Sequence, residues 1–564
     1  MKNALHLEQL KLCSLEDIKQ WYLKSLEVLV NEEEYQEALN NFESFLSNEG
    51  HHLYHKLTKY KDDIFCDSWL MPYSQDLYLN GRGPVSIESN YLLETIPYER
   101  KVRYLNFVTG LIEGIQDLFL DLHYKRIPQM KAKKQNLCMK QLKGFLRGSR
   151  SFNLEHDDYF IYEDFKEAHS CLVFYLNNAY YLKLFEEDGT KISGNYLYTQ
   201  LLAIYQHATI NNEPNFNILA FNNSDDSFKI IAEDPHLKSE YQNIKKTMFT
   251  LSLSNLNSNE ESTNLKCLNI EDAYPIKSWN IKIYQDLVCT FNNEHTFVDG
   301  LTSLNMITYL FKIIDTNELI YEKDDVIEPE AIKLFLNKEH FFSIKKHYLH
   351  KSSQFDSIRF EYHHVKVEKL LSNNINVDAI FQLGFLYANY FTYEKLLNIH
   401  ESVSAAKYYD GRTSTLKTIS KEGLAFIKAL AHSNNENYIF ELLLQANQRH
   451  LEGIFEAKEF NSIERVLAGL SIVNNKAVSF YQDQYYQRFA SQDICTSSMS
   501  NTKIVNRFAY PPVVEKGLGI GYLSHNDIFI CDISYYVSES DDAFKYFQYL
   551  HNYFDKLNEL LTKI

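Results

Sequence analysis

The chain has 564 residues, 45% of them apolar and 23% charged; this length exceeds what one hydrophobic core commonly serves, so two core-forming units are expected and neither disorder nor a fibrous chain fits. Its 74 acidic against 57 basic residues leave a formal charge of -17, which repels phosphate backbones and excludes nucleic acid as an expected partner. No run of about 18 apolar residues is present to span a bilayer, the amino terminus lacks the apolar core of a signal peptide, and the closing Leu-Thr-Lys-Ile is not a peroxisomal address.

The eight cysteines, Cys13, Cys66, Cys138, Cys171, Cys267, Cys289, Cys495 and Cys531, contain no C-x-x-C pair and lack the close spacing of a disulfide scaffold or zinc site. A reduced, cytoplasmic protein without bound metal is therefore expected. His51, His52 and His55, and the pair His363-His364, also fit no metal-ligand spacing. No Gly-rich phosphate loop is found.

In chain order, Ser14 and Asp17 stand in capping positions ahead of Ile18, Tyr22, Leu26 and Leu29, which predicts an amphipathic helix. Two β-prone runs between residues 171 and 185 flank Asn177-Asn178 and predict a hairpin. A polar stretch from 254 to 264 precedes another β-prone run, Ile281 to Phe291. The second half predicts a long helix from Asp378 to about Leu397, more helix from about Leu416 to Phe460, and strands around Val513 and Ile528. A last helix from 541 to 561 carries Phe544, Phe547, Leu550, Phe554, Leu557 and Leu561 at helical spacing. Helices and strands mixed in both halves predict an α/β (α+β) architecture.

Directly after the 281–291 run comes Asn293-Glu294-His295-Thr296-Phe297-Val298-Asp299-Gly300, an H-x-x-x-D-G arrangement at a strand-to-loop junction. A histidine with an ordinary pKa near 6.5 can take a proton from a hydroxyl or thiol at neutral pH, and a carboxylate four residues on can organise its surroundings. By itself the pattern fits equally a capping aspartate beside a structural histidine.

Other blocks accompany it. They are Asp67-Ser68-Trp69-Leu70 with Gly83-Pro84-Val85; Leu137-Cys138-Met139-Lys140-Gln141 with Leu146 and Arg150; and Trp279 and Lys282 ahead of Glu294-His295. Further on stand Glu401-Ser402-Val403-Ser404 with Gly411-Arg412-Thr413; Gln448-Arg449-His450-Leu451; Cys495-Thr496-Ser497; and Pro512-Val513-Val514 with Gly517-Leu518-Gly519. In this order, over nearly the whole chain, they resemble the carnitine/choline O-acyltransferase family, its carnitine branch more than its choline branch.

That resemblance implies two similar chloramphenicol-acetyltransferase-like domains, each a mixed sheet flanked by helices, with an active-site tunnel between them. The domains would span residues 1–335 and 336–564, with the segment around 70–95 crossing to the second. It further implies reversible acyl transfer between coenzyme A and the hydroxyl of carnitine, with His295 as general base and no covalent acyl-enzyme. Asp299 would hold local geometry by pairing with Arg412, and Ser497 would donate to the developing oxyanion. Arg449 would engage the carboxylate of carnitine and Thr413 would join it in binding the acceptor. His400 stands where relatives have a carboxylate-binding tyrosine, and Cys495 where they have a serine. Lys366, Lys369 and Asp378 would face coenzyme A. Asn506, Arg507 and Phe508, none of them glycine, imply a short or medium acyl chain. No bound cofactor is implied; acyl-coenzyme A is a co-substrate, small molecules are the partners, and a monomer is favoured. Two other readings share these residues: an acyltransferase acting on another small alcohol or amine such as choline, and a catalytically idle relative, against which the retention of His295, Asp299, Thr413, Arg449 and Ser497 argues.

Overall fold

The capping box read at Ser14 forms: its Oγ accepts from the Asp17 amide while the Asp17 carboxylate accepts from the Ser14 amide, and the helix Leu15–Leu26 follows. The computed structural model describes residues 7–63, 68–132, 134–176, 178–210, 224–267, 272–325, 328–332, 338–460, 463–474 and 478–564. Asp67, Asn177 and the domain boundary expected near residue 335 lie outside them.

The strands of the two large sheets are, in chain order, β1 Asn90–Thr95, β2 Ser170–Tyr175, β3 Asn178–Lys183, β4 Thr250–Leu253, β5 Asn280–Ile283, β6 Cys289–Glu294, β7 Glu330–Ala331, β8 Phe355–Tyr362, β9 Ile399–Ser404, β10 Thr413–Lys417, β11 Ile494–Asn501, β12 Val505–Ala509, β13 Leu518–His525 and β14 Ile528–Tyr536. The first sheet runs β7-β3-β2-β4-β5-β6-β1-β12 and the second β8-β14-β13-β11-β9-β10. Both are mixed, with parallel pairs β2–β4, β4–β5, β9–β11 and β11–β13 among antiparallel ones. Helices pack against each: Tyr104–His123 and Gly300–Thr316 share one core with the first sheet, and Val377–Thr392 and Ser540–Lys563 share another with the second.

Several local readings change register. The β-prone run 281–291 is two antiparallel strands, because Gln285-Asp286-Leu287 turns the chain with Leu287 at φ 60° and Tyr284 donating to Val288 O. Leu416 belongs to β10, and the helix expected from there is divided into Lys421–His432 and Glu436–Phe460. Val513 is exposed in the loop between β12 and β13.

The segment that crosses between the sheets is β12, which pairs antiparallel with β1, Leu92 opposite Ala509 and Leu93 opposite Phe508. The stretch expected to cross, 70–95, contributes β1 to the first sheet instead. The amino-terminal helices lie on the second half: Tyr22 packs its ring against Phe42, Phe480 and Phe489, and Trp69 and Leu70 share that core with Val466, Leu467 and Leu470. A buried ionic chain also ties the two sheets. Lys266 meets Glu94 of β1 at 2.5 Å, Arg507 of β12 lies 3.4 Å from Glu94 and 3.7 Å from Asp532 of β14, and Arg359 of β8 reaches Asp532 at 3.5 Å.

The crossing explains two glycines of β13. Gly521 lies under the β12 backbone, where a Cβ would stand 2.0 Å from Phe508 O, and Gly519, two residues earlier on the same face, lies under the Tyr510 and Pro511 carbonyls just past that strand. Gly521→Ala is therefore expected to cost about 1–3 kcal/mol or more by overpacking, read as a lowered denaturation midpoint; an unchanged midpoint would show that β12 can lift without loss.

Candidate active site

β6 ends at Glu294, the chain turns through residues 295–299, and the helix Gly300–Thr316 begins. Asp299 occupies the N-cap position but its side chain makes no capping bond. It is turned instead toward Arg412, whose Nε and Nη2 donate to Asp299 Oδ1 at 3.1 and 2.7 Å, while Gln141 Nε2 donates to Oδ2 at 2.6 Å. Gln141 Oε1 in turn accepts from the Asp299 amide and the Thr302 hydroxyl. Burial alone would raise the Asp299 pKa, but the charge of Arg412, assisted by His295, holds it below the ordinary carboxylate value. Arg412 also donates to the carbonyls of Thr296 and His295, at 2.6 and 2.7 Å. With four donated bonds the guanidinium thus clamps the 295–299 turn from the second half of the chain.

His295 Nδ1 lies 3.2 Å from Val298 O and 3.7 Å from Asp299 Oδ1. A carbonyl only accepts, so Nδ1 carries the proton and the lone pair is left on Nε2. Arg412 Nη2, 3.4 Å from the same Nδ1, is a donor as well, and its bonds go to Asp299 and the His295 carbonyl. The ring sits between those of Tyr78 and Tyr91, at 5.0 and 4.9 Å. Burial lowers its pKa to about 4, the nearby Asp299 opposing the shift and Arg412 adding to it, so the imidazole is neutral at pH 7. Although deep in the protein, 31% of the side chain is accessible, and it faces a cavity.

That cavity, about 1610 Å³, is lined from both halves of the chain. Of the residues predicted for the site, His295, Asp299, Asp378, His400, Arg412, Thr413, Cys495 and Ser497 line it. Two β-register pairs order its second-half wall: His400 of β9 lies opposite Cys495 of β11, and Glu401 opposite Thr496. His400 is buried 3.6 Å from Glu464, whose carboxylate also meets Lys417 at 3.3 Å. Burial lowers the His400 pKa, with Glu464 opposing, and burial pushes the Cys495 thiol up to about 11. On the other side of β9, Asp378 accepts from His450 Nε2 at 3.1 Å and from the Tyr522 hydroxyl at 2.7 Å. Glu401 stands beside them, its pKa raised well above the ordinary value by burial and then by the charge of Asp378. Of this carboxyl pair Asp378 is the ionised member. One oxygen each of Asp378 and Glu401 and one nitrogen of His450 come within 4.8 Å of one another, a group that sequence spacing did not reveal.

Three sequence-predicted residues fall elsewhere. Arg449 does not line the cavity: on the helix Glu436–Phe460, Leu451, Ile454 and Lys458 face it, and Arg449 is turned roughly 200° from Leu451. Its guanidinium lies over the Trp21 ring at 5.7 Å and pairs with Glu456 at 3.1 Å. Lys366 and Lys369 are exposed and also outside the lining, which takes Val367 and Leu371 from the same segment. Of the three acyl-length candidates only Phe508 lines the cavity. Residues not singled out from sequence include Gln141, legible only as part of the block it closes, and Arg465, which no motif marks. Arg465 lines the cavity too.

A family model described as Choline/Carnitine o-acyltransferase matches residues 10–552. Carnitine O-acetyltransferase of Homo sapiens is 23% identical over 543 residues, covering 89% of this chain and 84% of that protein. Mitochondrial carnitine O-palmitoyltransferase 2 of Homo sapiens is 22% identical over 605 residues, covering 94% and 88%. Among solved structures, TRI3 trichothecene 15-O-acetyltransferase from Fusarium sporotrichioides aligns with a TM-score of 0.43 at 10% identity, over 86% of this chain and 94% of that one.

Proposed function

Since the chain belongs to the choline/carnitine O-acyltransferase family and is an acyl-transferring enzyme, we propose that it moves an acyl group reversibly between coenzyme A and the hydroxyl of carnitine, with His295 as general base. The observation that carries this is the geometry at His295: Nδ1 lies 3.2 Å from Val298 O, a carbonyl that accepts from an Nδ1–H and leaves Nε2 as the basic nitrogen, and the side chain borders a cavity walled by both halves.

The acceptor hydroxyl gives its proton to Nε2 as its oxygen attacks the thioester carbonyl. The tetrahedral oxyanion accepts a hydrogen bond from Ser497. Collapse breaks the carbon–sulfur bond, and the thiolate of coenzyme A takes the proton back from Nε2, so no acyl-enzyme forms. The transient imidazolium is stabilised by Asp299, 3.7 Å away and itself fixed by Arg412. The ionised Asp378 offers an acceptor to the amide groups of the pantetheine arm, and Lys366 and Lys369 meet phosphates outside the lining. Phe508 on the cavity wall favours a short or medium acyl chain.

The depressed His295 pKa sets a pH dependence. The base form persists down to about pH 4, so kcat/KM is expected to stay level through neutrality and fall only as pH drops well below 6; an acid limb centred at 6.5 or above would contradict the desolvated, Arg412-flanked imidazole. Substrate class is tested by mass analysis of the ester made from carnitine with acetyl, octanoyl and palmitoyl donors. Acylcarnitine from the shorter donors is expected, and no ester from any of them would overturn the assignment.

A further inference from the structure

The last residue of β6, Glu294, brings a second carboxylate to the turn that carries the base. It is 1% exposed and is not among the residues that line the cavity, so it is not placed to touch a substrate. Its two oxygens turn instead to the residue after His295: Oε2 accepts from the Thr296 amide at 3.1 Å, and Oε1 accepts from the Thr296 hydroxyl. Oε1 also accepts from the Ser89 hydroxyl at 3.4 Å, and the Ser89 carbonyl accepts from the His295 amide at 2.8 Å. A buried carboxylate is costly unless donors and countercharge surround it. Buried Arg150 supplies the latter: its Nη1 donates to the Ser89 hydroxyl at 3.1 Å and lies 3.8 Å from Glu294 Oε1, while its Nε donates to Asp157 at 2.6 Å. The two halves of the chain thus hold opposite sides of Thr296. Arg412 takes the Thr296 and His295 carbonyls from the second half, and Glu294 takes the Thr296 amide and hydroxyl from the first. The peptide that follows the base cannot turn either way without losing a charge-assisted bond.

We propose that Glu294 is a positioning residue for the reaction, seating the His295 imidazole through Thr296 in opposition to Arg412. This rests on the acyl-transfer reading above. Glu294 acts on the rate of proton transfer and not on the binding of either substrate.

The test is steady-state kinetics of the intact protein with carnitine and acetyl-coenzyme A, in wild type, Glu294→Gln, Thr296→Val and Thr296→Ser, each shown to be folded by its melting curve. A displaced base slows the chemical step, so kcat is expected to fall about 10- to 100-fold in Glu294→Gln and by less in Thr296→Val, which keeps the amide bond. Both KM values should stay near wild type, the signature of a contribution made only to the transition state. Thr296→Ser, which keeps the hydroxyl, should recover most of the rate. Thr296→Val changes no charge, so the acid limb of its pH–rate profile should stay in place. If kcat is unchanged in Glu294→Gln and Thr296→Val, if the loss falls on KM, or if Thr296→Ser is as slow as Thr296→Val, the assignment is overturned while acyl transfer stands. Should Glu294→Gln fail to fold, the two Thr296 variants decide the same question. If wild type forms no ester, the acyl-transfer reading falls, and this assignment with it.

Discussion

His295→Ala is expected to lower acceptor-dependent thiol release by about 10²- to 10⁴-fold, the contribution of a positioned general base, while the protein stays folded. Four features separate the chemical loss from a structural one. The imidazole removed is neutral, so no buried charge is stranded. Val298 O keeps a donor in the Tyr91 hydroxyl at 3.2 Å. Asp299 keeps Arg412 and Gln141. The space vacated opens onto the existing cavity and does not form a sealed void. A folded variant retaining turnover within tenfold of wild type would mean that another group takes the proton.

The second large effect is expected at Arg412, for a different reason. Arg412→Ala leaves the Asp299 carboxylate, 11% accessible, with Gln141 as its remaining side-chain donor, and strips the Thr296 and His295 carbonyls of theirs. Removing one partner of a buried ion pair typically costs about 3–5 kcal/mol, measurable as a shift in the urea midpoint. The same variant should move the acid limb of the pH–rate profile upward: Arg412 depresses the His295 pKa and Asp299 raises it, so losing the arginine favours the imidazolium. A purely structural role would lower stability without moving that limb. Arg412→Lys should recover the charge but not the fork of bonds to Asp299 and the two carbonyls. An unshifted limb in Arg412→Ala would place the guanidinium's influence elsewhere.

Much of the site was legible in the sequence because it is local. The H-x-x-x-D-G turn places His295 and Asp299 within five residues of each other, and Gly411-Arg412-Thr413 sits at the start of the strand from which Arg412 reaches Asp299 and orients it. The capped first helix and the last amphipathic helix were legible for the same reason: their signals repeat within one element. Arg449 was not, because block order in the chain does not say which face of a helix a residue occupies, and the face is chosen here by Trp21 and Glu456. Arg465 carries no motif, and its place on the cavity wall depends on how the helix Ile463–Ile472 packs against the amino-terminal helices. The crossing of β12 was likewise hidden, since its partner β1 lies more than 400 residues earlier, although the paired glycines of β13 mark where it passes. The divided run at 281–291 turned on Leu287 in a left-handed conformation that its residue type does not advertise.

The most direct measurement is the rate of thiol release from acetyl-coenzyme A by the intact protein with carnitine, with choline and with no acceptor. Release that requires an acceptor alcohol, with an ester formed mole for mole, is the expected result for direct transfer through His295. Release that proceeds equally without acceptor, or none under conditions where the protein is folded, would contradict it.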